Sequence, residues 1–176
     1  MEKEKQILIQ KNSYWLSEIG YLFFKYQIGY EVYDFSENSI HVKEGIDLIV
    51  LNKQNLPTYI ICLGNQEPFN KLFIPISEND NESRLMTSKA DYVFFYDINK
   101  SSACLLELEL LVDRVEKNFS QYEKANINDV LGVYISKDDK SIKDFINIYS
   151  LKKDIYEKAN QIIKFRSETE KLVLSR

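Results

Sequence analysis

The sequence predicts an α/β (α+β) fold, a central mixed β-sheet flanked by helices. Three observations carry this. Trp15, Ile19, Leu22 and Tyr26 recur at three- and four-residue steps, the stripe of one helix face. Three strand-like stretches then follow closely, parted by turn-forming residues. Further on, "DYVFFYDI" reads as another strand, and helical spacing dominates the C-terminal quarter.

Taken in order, residues 10–28 read as the first helix, with Gly29 as its stop signal. Glu18 and Lys25 lie along one edge of its stripe. "YEVYDF" and "SIHVKEGIDLIVL" read as strands around the turn "SENS". His41 alternates with Ile40 and Val42 there, and reads as a solvated strand histidine. "KQNLP" turns the chain into "TYIICLG", whose unbroken apolar run implies burial on both faces.

A polar loop, "NQEPFN", leads to "KLFIPIS", which Pro75 marks as an edge or irregular strand. "ENDNESRLMTSKA" begins acidic and ends basic, which suits a helix dipole. "ACLLELELLVDRVEKNF" begins as strand or helix and is helical by Val112. "DVLGVYIS" reads as a short strand. From Ser141 to Leu172 the chain reads as helix, broken near Ser150. Residues 1–136 form the core in this reading, and residues 137–176 a helical C-terminal extension of the same domain.

Composition narrows the function. Hydrophobic residues make up 44% of the 176, so the chain can bury a core. No apolar run approaches the length of a membrane span, and the start carries no long apolar stretch of a secretory leader. Two cysteines in strand-like surroundings suit a reduced, cytoplasmic protein. A single histidine rules out the usual zinc spacings. Net charge is −4, unlike a strongly basic nucleic-acid binder. Residues 137–176 nevertheless hold ten Lys and Arg against seven Asp and Glu. Lys152, Lys153, Lys164 and Arg166 are the candidate phosphate contacts, or else a solvated helix face. Leu151, Ile155, Ala159 and Ile162 form a narrow apolar seam suited to a homodimer.

The chemically informative residue is Asp47, a carboxylate within the apolar "GIDLIV". It reads either as a strand-end acid satisfied by backbone N–H groups or as a metal ligand. With Glu18 on the preceding helix, "YIICLG" on the next strand and "KADYVFFYD" beyond, the element order resembles the PD-(D/E)XK nuclease-like superfamily. That group includes restriction endonucleases and Holliday-junction resolvases. The resemblance covers about residues 10–120.

It implies a restriction endonuclease-like core, a Mg²⁺ site and DNA as substrate. Asp47 matches the first acid of the motif, and Glu18 the helix-borne acid of some members. The acid-x-lysine expected on the third strand falls on Cys62-Leu63-Gly64, which offers neither group. A thiolate is a poor ligand for Mg²⁺, and Cys62 reads as a small core residue. Lys25, Lys53 and Lys71 are the candidate relocated lysines. Glu67, Asn65 and Gln66 are candidate substitute ligands. The expectation is a nuclease-like domain that has lost catalysis and binds DNA or protein. The alternative is an active Mg²⁺-dependent endonuclease using Asp47, Glu18 and a relocated Lys25. Both place Glu18 and Asp47 in one shallow concavity.

Overall fold

The structure is a computed structural model that describes residues 16–65, 70–97, 100–127 and 129–174, the last eight as backbone only. It is an α+β arrangement in three layers. The middle layer is a six-stranded mixed sheet of order β1-β2-β3-β6-β7-β10. Its strands are β1 (Glu31–Asp34), β2 (Leu48–Leu51), β3 (Pro57–Asn65), β6 (Tyr92–Asp97), β7 (Ser102–Glu107) and β10 (Ile146–Ser150). All neighbours are antiparallel except β3 and β6, which run parallel.

Helix α1 (Leu16–Leu22) runs into a π-helical turn, Phe23–Ile28, and ends at Gly29. Gly29 takes a left-handed φ of 85°, and its N–H returns to the Phe24 carbonyl, so the predicted stop holds. Residues 10–15, with Trp15, lie outside the described residues. Leu16, Ile19 and Phe23 pack with Leu48, Val50, Ile60, Cys62 and Phe94 on one face of the sheet. Helix α4 (Lys153–Leu174) adds Ala159 and Ile163 to that face. Gly20 lets α1 come close, since a Cβ there would lie 2.9 Å from Cys62 Sγ and 3.0 Å from Leu48 Cδ1.

The opposite face carries a four-stranded sheet of order β5-β4-β9-β8. It comprises β4 (Lys71–Glu78), β5 (Asn81–Glu82), β8 (Glu123–Ile127) and β9 (Val130–Ser136). Leu72, Ile74, Val133 and Ile135 meet Ile61, Val93, Phe95 and Leu106 there, beside helix α3 (Leu108–Asn118). Ile60 and Ile61 thus face different cores, which is why β3 reads as an unbroken apolar run. Pro75 stands at a register shift in β4, the irregularity its missing N–H predicts.

Three stretches differ from the sequence expectation. "SIHVK" is helix α2 (Ser39–Lys43), not strand. Asn38 caps it, its side-chain oxygen accepting from the N–H groups of Ile40 and His41. His41 consequently packs edge-on to the Phe35 ring. "ENDNESRLMTSKA" is not a helix: Asn79 and Asp80 both adopt positive φ and turn β4 into β5, and further turns follow. Residues 146–150 are strand β10 rather than helix, paired with β7. The alternation Ile-Asn-Ile-Tyr is a period-2 signal.

Two polar ties join the sheets at the C-terminal ends of the parallel pair. Asn65 donates to the Lys71 carbonyl and accepts from the Phe73 N–H. Asp97, its partner in the β3–β6 register, accepts from Lys137 Nζ at 2.8 Å, both side chains at most 2% exposed. Breaking a buried pair leaves one charge without its counterion, which costs about 3–5 kcal/mol. Lys137→Met should therefore lower stability by about that much in urea unfolding. The double variant Lys137→Met with Asp97→Leu should recover much of the loss, since no charge is then stranded.

Candidate functional site

Asp47 directly precedes β2 and extends its ladder by one residue. Its N–H donates to the Ile60 carbonyl and its carbonyl accepts from the Phe35 N–H, both at 2.8 Å. The carboxylate is fully buried. One oxygen accepts the Cys62 N–H at 2.7 Å. The Arg84 guanidinium forks onto both oxygens, at 2.7 and 3.1 Å, a bidentate geometry that fixes orientation as well as charge. Burial pushes the Asp47 carboxyl up from its ordinary range, while Arg84 and the Cys62 N–H pull it back. The bland reading of Asp47 as a strand-end acid is thus met, with an arginine added.

Arg84 lies in the turns after β5. Ser83 pins that stretch, its N–H donating to the Ile76 carbonyl and its hydroxyl to the Pro75 carbonyl. A guanidinium on both carboxylate oxygens occupies the positions where a hard cation would be held.

On β3 the thiol of Cys62 is buried, and burial holds it well above its ordinary range. It packs against α1 as a small core residue. Gly64 stands opposite Tyr96. Asn65 spends its amide on β4, as described, and Gln66 and Glu67 lie outside the described residues.

Glu18 does not join Asp47. Its carboxylate pairs with Arg166 of α4 and lines a groove of about 390 Å³ between the two helices, with Leu22, Lys158 and Ile162. Asp47 is fully buried and does not line that groove, so Glu18 faces a hollow that the two acids do not share. The cause is side-chain direction: α1 presents Ser17 and Ile19 inward, both buried, and turns Glu18 toward α4.

Lys25 is exposed, bonded to the Tyr21 hydroxyl and set over the Tyr21 and Tyr26 rings at 5.0 and 5.7 Å. The Tyr21 hydroxyl raises its ammonium above the ordinary range. Lys53 is exposed in the β2–β3 turn, and Lys71 pairs with Glu123. Lys152, Lys153 and Lys164 are exposed. Lys153 has Glu157 at 3.8 Å, and Arg166 is engaged by Glu18. Among the described residues no group of three or more His, Cys, Asp or Glu side chains could hold a metal ion.

Sequence reasoning missed Arg84, which sits in a stretch read as helical and carries no local signal for its partner. It also missed Asp97, although the same cue that marks Asp47, an acid ending an apolar strand, is present in "VFFYD".

Arg84→Ala should leave a buried carboxylate without its cation and cost about 3–5 kcal/mol by chemical denaturation. Cys62 and Cys104, both buried and free, should react with an aromatic disulfide reagent only at the rate of unfolding. Among the described residues no helix is long and apolar enough to cross a membrane. Compared with protein-family models, with curated proteins and with solved structures, the chain gives no match in any of the three.

Proposed function

We propose that the chain is a PD-(D/E)XK nuclease-like domain without catalytic power that serves as a binding module for DNA or protein. One observation carries the reading. The acid matching the motif, Asp47, is buried and closed by the Arg84 fork, while the neighbouring strand supplies Cys62 and Gly64 where an acid and a lysine are expected. A metal at Asp47 would have to displace a bidentate cation, and the neighbouring carboxylate, Asp34, is engaged by Ser17 and Ser36. The metal's two services, polarising a phosphate and generating hydroxide, then have nothing to rest on.

The strand arrangement supports the kinship. A helix precedes the meander β1-β2-β3, and β6 returns parallel to β3 with β7 antiparallel beyond it. The segment crossing from β3 to β6 is a hairpin and turns, where the resemblance leads one to expect a helix. None of the candidate lysines Lys25, Lys53 and Lys71 bonds to Asp47, so no observation favours a relocated lysine.

Incubated with supercoiled plasmid and either Mg²⁺ or Mn²⁺, the protein should leave the DNA intact, and calorimetry should detect no tight divalent binding. Cleavage that disappears in Asp47→Ala would overturn the proposal in favour of an active endonuclease. For the DNA arm, a gel shift that weakens steeply with salt, and weakens again when Lys152, Lys153 and Lys164 become Ala, is the expected signature.

A further inference from the structure

The outer edge of β10 differs from the other sheet edges of the molecule. β1 carries Glu31 and Asp34, β8 carries Glu123 and Lys124, and β5 is two residues long. Charge and shortness are the ordinary devices that stop a sheet edge from recruiting another strand. β10 has neither. Its five residues, Ile-Asn-Ile-Tyr-Ser, contain no charge and no proline, and their register with β7 is unbroken.

The ladder parity fixes which groups point outward. The Leu151 N–H donates to the Ser101 carbonyl, so Tyr149 and Asn147 bond toward β7, and Ile146, Ile148 and Ser150 point away. Gln27 already takes two outward groups at one end, its amide donating to the Ser150 carbonyl and its oxygen accepting the Lys152 N–H. The Ile146 N–H turns back to Ile142. At the middle of the edge the N–H and C=O of Ile148 point outward, with no strand beyond them among the described residues. The Ile148 side chain is 55% exposed beside them.

The flanks carry charge. Lys140 and Lys143 precede the strand and Lys152 and Lys153 follow it, all exposed, against a single acid, Asp144, in the same span. The body beyond is acidic overall.

From the open edge and its basic ends we infer that β10 receives an extended segment of a partner protein. That segment adds a seventh strand, sets an aliphatic side chain on Ile148, and presents acidic residues to the lysines at both ends. Main-chain bonds supply the affinity and the charged flanks the selectivity, as in other strand-addition complexes. This rests on the binding-module reading and names its partner class. The lysines expected to meet phosphate act here on carboxylates. Nuclease activity in the plasmid assay would end the parent reading, and the peptide assay below reads strand addition separately from it.

The probe is a fluorescein-labelled designed peptide, DEVTVTVED, followed by anisotropy on the whole chain. Binding should weaken with salt. It should weaken at least roughly tenfold, about 1.4 kcal/mol, for the basic-flanked KKVTVTVKK and for a copy of DEVTVTVED N-methylated at alternate residues. Ile148→Lys should weaken it by a similar factor with an unchanged urea midpoint, because that side chain is exposed. Amide exchange at Ile148 should slow on binding. Absence of binding, equal affinity for the basic or methylated peptide, or protection elsewhere would each overturn the proposal. So would a dimer in light scattering that Ile148→Lys dissociates, since β10 is then occupied by a second copy.

Discussion

The fork between Arg84 and Asp47 closes the chain on itself. Asp47 directly precedes β2, the second strand of the six-stranded sheet, and Arg84 belongs to the turns that carry the chain from the second sheet back to β6. Their bond ties the crossover to the strand pair it must pass. The contact joins a fully buried carboxylate to a partly exposed guanidinium in a bidentate fork, and it forms only when both partners are already in place. The burial of the acid governs its chemistry. A carboxylate meant for metal needs lone pairs directed at open space, and this one directs them at a guanidinium and a backbone N–H.

Asp97 and Lys137 repeat the device at the other end of the parallel pair. Both acids end or begin apolar strands, both are buried, and each is met by a cation from a segment distant in sequence. Among the described residues two buried acids each meet a cation, Lys137 buried and Arg84 about a quarter exposed, in a chain of net charge −4. Buried pairs contribute little net stability against a well-packed apolar alternative, but they penalise every arrangement that separates them. Their consequence is a fixed relation between the two sheets.

Much of the main sheet was legible in the sequence. β1, β2, β3 and β6 announce themselves by period-2 alternation or unbroken apolar runs, and Gly29 ends the first helix where expected. Short elements were less legible. Five residues of α2 are too few for a 3.6-residue period to show, and the deciding signal was the cap at Asn38. The segment after β4 shows how charge order misleads: its acidic start belongs to a two-residue hairpin, where Asn79 and Asp80 accept positive φ. Reading that segment as a helix also hid Arg84, because a residue's partner across the fold leaves no trace in its neighbours. Asp47 could be recognised as unusual from sequence, yet its role depended on a cation 37 positions away.

The contact between Gly20 and Cys62 bears on how such a chain can change. Position 62, where the proposed kinship calls for a carboxylate, holds a thiol that abuts α1 at Gly20. A glutamate needs room that exists only if the helix withdraws, and the helix is held by Leu16, Ile19 and Phe23. A larger side chain at position 62 therefore calls for a change in α1 as well, so one small side chain ties the strand's composition to that of the helix above it.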